Sequence, residues 1–280
     1  MSLELQMPAG VLQAALQRSR DLVAFALQAA DHAKPVDLQI PGTFGQVNPA
    51  RNRALDIEAA RAEFRSWVLG NGLRDCVEAI GGTLEWARRF CFVWTRAGSV
   101  KPIEDGKFRL NMQFTGEEWN TIIIRGGAKF DRFPLPQKLE HLEETYGWQR
   151  PELSDRILSL NAVRNCLTHR DGIVGAADLK QSTDQGLSLR WRTLQPVART
   201  GDEKRVLVAG SQVSQGDEVG IEYTDKEKVF RAGERVTISA TEYTEISLTF
   251  LLFAQQIEAS TVEVQNRRVA ASQSQPPAAP

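Results

Sequence analysis

Apolar side chains recur at helical spacing in the first part of the chain. Between residues 8 and 33 they lie four or seven positions apart, at Leu12, Leu16, Val23 and Leu27, and few β-branched residues interrupt the pattern. This stretch predicts an opening amphipathic helix that is bent or broken somewhere along its length.

Three further stretches predict helices. Residues 56–98 have helical character throughout, and the glycines at 70–72 and 81–82 predict that this region is divided into two or more helices. A shorter helix is predicted over residues 136–146, and another over residues 151–171.

The pattern changes to alternation in the region 187–240. Four short runs have apolar residues at every second position and are separated by Gly and Asp: LSLRWRTL, KRVLVAG, DEVGIEY and ERVTISA. These runs predict a small antiparallel sheet. Helical spacing returns over residues 241–264, and Thr241, followed by Thr244 or Glu245, predicts where this last helix begins.

Together these elements predict a mainly α fold, in which a helical bundle carries an inserted small antiparallel β-sheet. The bundle comprises residues 1–178 and 241–264, with an irregular insertion at 99–135 where Gly and Pro alternate with short β-branched runs. Residues 179–240 are the β insertion. The tail, residues 265–280, ends without large apolar groups and is predicted to be disordered.

The composition narrows the class of protein. With 280 residues, 42% hydrophobic and 25% charged, the chain has the composition of an ordinary globular protein. Its 34 Lys and Arg nearly balance 35 Asp and Glu, so no global field attracts nucleic acid or anionic membranes, and any basic site must be local. Cys76, Cys91 and Cys166 lack metal-binding spacing, which argues against a zinc ribbon or a disulfide framework and favours a reducing, cytoplasmic setting.

The chain carries no sequence signal for a membrane. Its first residues lack a basic segment followed by an apolar block, which argues against a secretory signal. The longest apolar run near the other end, ISLTFLLFA, is much shorter than the roughly 20 residues of a membrane-spanning helix. We therefore expect a soluble protein without a membrane partner.

An arginine lies among aliphatic residues in the stretch LNAVRNCLTHRDGIV. At about 100° per residue, Arg164 falls within about 20° of Leu153, on the apolar face of this predicted helix. Arginine cannot lose its proton, so an unpaired guanidinium buried there would be costly. Asn165 and His169, spaced i and i+4, lie on an adjoining flank that the long Arg164 side chain reaches. The three side chains are predicted to border one polar notch.

This geometry is also compatible with a structural role. An arginine on a helix face commonly extends to a carboxylate, and a histidine near a helix C-terminus commonly caps carbonyl groups. In that case Arg164 pairs with a core carboxylate, and the chain is a purely structural helical protein.

The run RNCLTH resembles the R-polar-x-x-x-H signature of HEPN domains, which are helical bundles found in nucleases of prokaryotic toxin, anti-phage and CRISPR-type systems. Arg164, the polar Asn165 and His169 match the signature, and the following RDGIV is similar to the residues after it in many such proteins. Gly172 also stands where a helix-ending glycine is expected. The upstream FRSWVLGNGLRDCVEAIGGTLEWARRF is similar to an earlier helix of the family.

The resemblance implies a metal-independent endoribonuclease, a toxin or anti-phage defence effector, that acts as a homodimer with both motifs in one cleft. His169 would be the general acid or base at the ribose 2′-hydroxyl or the leaving oxygen, and Arg164 would hold the scissile phosphate. Asn165 would orient either group. RNA is the expected substrate, no cofactor is implied, and an antitoxin or regulatory partner is expected. The alternative is a catalytically inactive HEPN-like module that binds RNA, nucleotide or a protein partner.

The other candidate residues have simpler interpretations. His32 and His141 lack acidic or cysteine partners at metal-ligand spacing, so both are interpreted as surface histidines and no metal site is assigned. The aromatic residues of the long helical region are interpreted as core rather than as a base-stacking platform: Trp67, Trp86, Phe90, Phe92 and Trp94.

Overall fold

A mainly helical bundle carries an inserted three-stranded antiparallel sheet, as the sequence predicts. The computed structural model describes residues 8–32, 57–102, 108–112, 116–119, 126–179, 186–208 and 210–273. The long helices are α1 (Pro8–His32), α2 (Ile57–Arg96), α6 (Ser154–His169) and α8 (Ala240–Gln273). The short helices are α3 (Gly116–Trp119), α4 (Gly126–Asp131), α5 (Leu135–Tyr146) and α7 (Ala176–Leu179). The strands are β1 (Ala97–Pro102), β2 (Phe108–Met112), β3 (Gly186–Thr200), β4 (Glu203–Val206) and β5 (Glu218–Arg231).

Helix α1 is continuous from Pro8 to His32, without the predicted break. Leu12, Leu16 and Val23 are buried, and these positions lie on one face of a helix with 3.6 residues per turn. The same face carries Ser19, whose hydroxyl lies 2.9 Å from Tyr243 Oη of α8. This face attaches α1 to the bundle.

Helix α2 is also uninterrupted, so the predicted divisions at residues 70–72 and 81–82 are wrong. A Cβ at Gly72 would lie 2.6 Å from Val23 Cγ2 and 2.7 Å from Tyr243 Oη. Gly72 therefore permits the close approach of α1 and α8 to α2, and it does so within regular helix.

The three-stranded sheet has the order β4-β3-β5. Strand β3 pairs with β5 from Gly186↔Arg231 to Arg199↔Glu218, whereas β4 covers only the end of β3, from Val197 onward. The open edge of β3 lies against two helices, where Ser159 Oγ accepts from Arg190 N–H at 2.8 Å and Thr249 Oγ1 accepts from Arg192 N–H at 2.9 Å. These hydroxyl groups satisfy backbone donors that no strand reaches.

The run ERVTISA is not a strand, contrary to the prediction. It forms a single bridge, Ile173↔Arg235, although its alternate residues Val236 and Ile238 are buried. Its last part caps α8: Ser239 Oγ accepts from Glu242 N–H at 3.1 Å, and the Glu242 carboxylate accepts from Ser239 N–H at 2.7 Å. This reciprocal capping starts α8 at residue 240, before the predicted Thr241 start.

Helix α8 continues to Gln273, into the tail predicted to be disordered at 265–280. Its last turns have partners, because Arg267 donates to the carbonyl oxygen of Gly147 and Arg268 donates to that of Ala97. Residues 274–280 lie outside the described ranges. Neither α8 nor any other helix of the described ranges is long and apolar enough to cross a membrane.

The predicted irregular insertion at 99–135 contains a short hairpin in which β1 pairs antiparallel with β2. Helices α3 and α4 follow in the chain. Residues 103–107, 113–115 and 120–125 of this region lie outside the described ranges.

Candidate functional site

Helix α6 carries all three residues of the predicted site. Its fully buried apolar positions Ile157, Leu160, Val163 and Cys166 follow one another at intervals of three residues. Three residues turn a helix by about 300°, so each of these buried residues lies about 60° behind the previous one around the helix axis. Along the helix the buried face therefore rotates away from the position of Arg164. Arg164 therefore does not lie within the buried face, as the sequence predicted, but at its edge, with its side chain 22% exposed.

The Arg164 guanidinium has two partners. Nη1 donates to Asn165 Oδ1 at 3.0 Å, and Nη2 donates to Glu78 Oε1 of α2 at 3.1 Å. The Nε atom is buried and has no hydrogen-bond partner among the described residues. Arg164 and Asn165 thus lie side by side, and the two hydrogen bonds use two of the five N–H donors of the guanidinium.

Glu78 lies between two arginines. Arg74 Nε, one turn earlier on α2, is 3.7 Å from Glu78 Oε1, which is too far for a hydrogen bond. This Nε is also buried without a hydrogen-bond partner in the described part of the chain. The Glu78 side chain is 56% exposed, so it is not the core carboxylate that a purely structural role for Arg164 requires.

His169 is the last residue of α6, and its side chain is exposed. It follows Arg164 by five residues, which corresponds to about 140° around the helix axis. Asn165 lies about one turn before it, on nearly the same side of the helix. Among the described residues, no hydrogen bond holds the imidazole in one orientation.

The chain turns sharply after His169. Asp171 and Gly172 both have left-handed backbone, with φ of 51° and 73°, and α6 ends before them rather than at residue 171 as predicted. Arg170 donates to the buried carboxylate of Asp178. Arg170 therefore fastens the turn to α7 and is not part of the site.

A groove of about 430 Å³ lies between α2 and the end of α6. Its lining residues from α2 include Glu63, Trp67, Gly70, Asn71 and Arg74, and the other side is formed by Leu167, Thr168, Asp171 and Arg235. Arg164, Asn165 and His169 do not line the groove, and its link to them is Arg74, whose Nε lies 3.7 Å from the Glu78 carboxylate that pairs with Arg164.

Trp67 is 62% exposed in this groove. Its ring stacks on Phe64, with ring centroids 6.0 Å apart and an interplanar angle of 23°. The prediction that Trp67 belongs to the core is wrong, because α6 ends before it covers this turn of α2. The neighbours Phe90, Phe92 and Trp94 are buried as predicted.

The cysteines do not supply a reactive thiolate. All three thiols are free and buried. Burial raises the pKa of Cys76 to about 11 and that of Cys91 to about 12, and it also raises the pKa of Cys166. Protonated, buried thiols are poor nucleophiles and poor metal ligands at neutral pH.

The other two histidines lie on other helices, His32 on α1 and His141 on α5. His32 is exposed in the last turn of α1. His141 is half-buried rather than a surface residue, since its ring centroid lies 5.5 Å from that of Phe130 and 6.1 Å from that of Tyr146, and burial lowers its pKa. In the described part of the chain, no group of three or more His, Cys, Asp or Glu side chains is placed to hold a metal.

The chain matches no known protein family, no curated protein and no solved structure. The resemblance to HEPN domains therefore has no support beyond the motif of α6.

Sequence reasoning missed the α2 side of the site. Arg74 and Glu78 have the i, i+4 spacing of a helix ion pair, which is a common surface pattern and carries no sign of a partner on another helix. Only the packing of α2 against α6 brings Glu78 to Arg164.

Proposed function

We propose that the chain is a metal-independent endoribonuclease of HEPN type that acts as a homodimer, with Arg164, Asn165 and His169 as its site. The observation that supports this best is the state of the Arg164 guanidinium. It is held at a helix edge between Asn165 and an exposed carboxylate, and its Nε has no partner in the described part of the chain. Only two of its five N–H donors are used, so the guanidinium retains donors for a phosphate once Glu78 is displaced.

In this proposal His169 accepts the proton of the ribose 2′-hydroxyl, and the 2′ oxygen attacks the adjacent phosphorus. The bond between phosphorus and the 5′ oxygen breaks, and the leaving oxygen takes a proton from an imidazolium. The products are a 2′,3′-cyclic phosphate and a 5′-hydroxyl. Arg164 donates to the phosphate oxygens, on which negative charge accumulates in the transition state.

The direction of the side chains supports the homodimer of this proposal. Arg164 and His169 of one helix diverge by about 140°, so one protomer does not easily direct both at a single phosphate. A second copy related by a twofold axis brings its own motif to the same cleft, and this one shared cleft then contains two guanidinium and two imidazole groups.

In this proposal the Glu78 carboxylate occupies the position that the RNA phosphate takes in the complex. A carboxylate and a phosphate bind a guanidinium through the same fork of donors, so Glu78 occupies the anion position between Arg164 and Arg74 until RNA displaces it. Arg74 thereby becomes a second phosphate-binding residue.

The alternative function is a catalytically inactive module that binds RNA, nucleotide or a protein partner through Arg164. Two observations favour it: the existing Arg164–Glu78 ion pair, and the absence of a hydrogen bond that orients His169 within the described residues. Binding without cleavage separates this alternative from the nuclease.

The test is incubation of the purified protein with end-labelled RNA in EDTA, followed by analysis of the product ends. We expect cleavage with 2′,3′-cyclic phosphate ends, lost by about 10²- to 10⁴-fold in His169→Ala. His32→Ala is the matched control, because His32 is also an exposed histidine in the last turn of a helix. Absence of cleavage by the unaltered protein, or equal cleavage by His169→Ala, overturns the nuclease.

A further inference from the structure

We propose that the groove between α2 and α6 binds a nucleobase that carries an exocyclic amino group, next to the phosphate held by Arg164. This inference rests on the proposed function, because the bound phosphate is what brings RNA to the groove. It adds a base-recognition site and a sequence preference that the motif itself does not contain.

The stacking surface is Trp67. Its indole is largely exposed and lines the groove, and Phe64 stacks against it in a fixed arrangement. An exposed aromatic ring held by a second ring is a suitable platform for any base, since every base has a π face. The groove volume of about 430 Å³ lies within the usual range of small-ligand sites.

The groove contains several hydrogen-bond acceptors, together with the donors Arg74 and Arg235. Glu63 and Asp171 line the groove, and neither carboxylate has an ion pair with another described residue. Asn71 uses its Nδ2 to donate to the carbonyl oxygen of Trp67 at 2.8 Å, which leaves its Oδ1 as a third acceptor. Acceptors of this kind bind the amino groups of adenine, cytosine or guanine, whereas uracil has no amino group.

Glu63 repels the RNA backbone from the Trp67 end of the groove, because like charges repel, whereas Asp171 shares its side of the groove with the cation Arg235. The backbone phosphate belongs at the other end, where Arg74 lines the groove and also approaches Glu78. Trp67 and Arg74 are about 10 Å apart along α2 at 1.5 Å per residue. Base and phosphate contacts therefore fall on one short segment of single-stranded RNA.

The experiment measures binding in the His169→Ala background, so that RNA is not cut during the titration. Fluorescence anisotropy of labelled oligoadenylate and oligouridylate gives the affinity of each variant. We expect the protein to bind oligoadenylate more tightly than oligouridylate. The affinity for oligoadenylate should fall about 5- to 150-fold in Trp67→Ala and should be largely retained in Trp67→Phe. Phe25→Ala is the control, because Phe25 is 72% exposed on α1 and does not line the groove.

Three results overturn the inference: unchanged affinity in Trp67→Ala, equal losses in Trp67→Ala and Phe25→Ala, or equal affinity for the two oligomers. Adenosine monophosphate is the second probe, and equal affinity for it and for oligoadenylate overturns the RNA assignment in favour of a free nucleotide. Circular dichroism confirms that each variant is folded.

The cleavage assay separates this inference from the proposed function. If cleavage depends on His169 but Trp67→Ala binds oligoadenylate as tightly as before, the base site is refuted and the nuclease proposal stands. If the preference for oligoadenylate depends on Trp67 but the unaltered protein does not cleave RNA, the nuclease proposal is refuted and the base site stands.

Discussion

Two arginines of helix α6 are almost equally exposed but differ in their hydrogen-bond partners. Arg156 is 21% exposed and Arg164 is 22% exposed, about two turns further along the helix. Arg156 Nε donates to Asp225 Oδ1 at 2.8 Å, and its Nη2 donates to the other oxygen of the same carboxylate. Arg164 has no such two-point partner, and its Nε is buried without any in the described ranges.

Arg156 belongs to a closed ion network. Asp225 of β5 also accepts from Arg192 Nε at 2.9 Å, and Arg192 Nη2 donates to Glu152 Oε1 at 2.8 Å. Hydrogen bonds from Arg192 and Arg156 hold the pKa of Asp225 well below its usual range. This network attaches α6 to the sheet, and Asp225 occupies the two-point edge of the Arg156 guanidinium.

Exposure does not distinguish these two arginines, whereas their hydrogen bonds do: Arg156 pairs with one carboxylate at two points, and Arg164 pairs with Glu78 at one. Arg156 faces the sheet, where an acidic partner matches its fork of donors. Arg164 faces α2, where a single carboxylate is shared with Arg74 at a longer distance. The predictions below test whether this difference is also a difference in function.

The largest effect is expected from Arg164→Ala. We expect single-turnover cleavage of RNA to fall by about 10²- to 10³-fold, because a donor to the transition-state charge is lost. Arg164→Lys keeps the charge without the planar fork of donors, so its cleavage rate should lie between those of Arg164→Ala and the unaltered protein. The free energy of unfolding, measured with urea, should change by less than about 1 kcal/mol. Cleavage by Arg164→Ala at the rate of the unaltered protein contradicts the assignment.

Arg156→Ala should lower the stability of the fold and leave the cleavage rate nearly unchanged, which is the opposite of the result expected for Arg164→Ala. The free energy of unfolding should fall by about 1 kcal/mol, because the two-point pairing with Asp225 is lost and the network is partly exposed. Cleavage should stay within about twofold of the unaltered protein, which is an effect below about 0.5 kcal/mol. Urea unfolding and the cleavage assay measure both quantities, and a large loss of cleavage at normal stability would show that the two arginines share one role.

A smaller effect is expected from Glu78→Gln in the His169→Ala background. Removal of the competing carboxylate should raise RNA affinity by about 2- to 5-fold at low salt, which corresponds to about 0.5 to 1 kcal/mol. Glu58→Gln, on the same helix but outside the groove, removes the same charge as a control. Weaker binding in Glu78→Gln would mean that Glu78 supports the site rather than competes for it.

The smallest effect concerns pH. The pKa of Asp225 is lower in the folded protein than the value of about 3.9 in an unfolded chain, so its ion pairs stabilise the fold above that value. This contribution should be lost as pH falls from about 5 toward the folded pKa. Because Asp225 is nearly half exposed, the difference in unfolding free energy from Asp225→Asn should stay below about 1 kcal/mol. Urea unfolding at several pH values checks the direction; a difference that grows as pH falls contradicts it.

Much of the fold was accessible from the sequence because its signals are local. The spacing of Leu12, Leu16 and Val23 specifies a helix face whatever packs against it. Gly72 was misinterpreted because its neighbours Val23 and Tyr243 lie far away in the sequence, and only their approach explains the glycine.

The run ERVTISA shows a second limit. Its alternation correctly reflects burial of Val236 and Ile238, but alternation cannot reveal that the segment has no neighbouring strand beyond one bridge. The Ser-x-x-Glu pattern at Ser239 and Glu242 was a visible capping signal for α8, and the sequence interpretation placed the start at Thr241 instead.

The site divides in the same way. Arg164, Asn165 and His169 lie within two turns of one helix, so their relative positions follow from helix geometry. Glu78 joins them only through tertiary packing, and the exposure of Trp67 depends on where α6 ends. Neither property is encoded in the local pattern of α2.

The most direct test of the account observes the two guanidinium groups together. Side-chain ¹⁵N–¹H spectra of His169→Ala protein, labelled in arginine and assigned with Arg156→Lys and Arg164→Lys, are recorded during titration with an RNA oligomer. The account predicts a saturable shift of the Arg164 Nε–H resonance and an unchanged Arg156 resonance. An Arg164 resonance that does not move, or equal shifts of both, contradicts it.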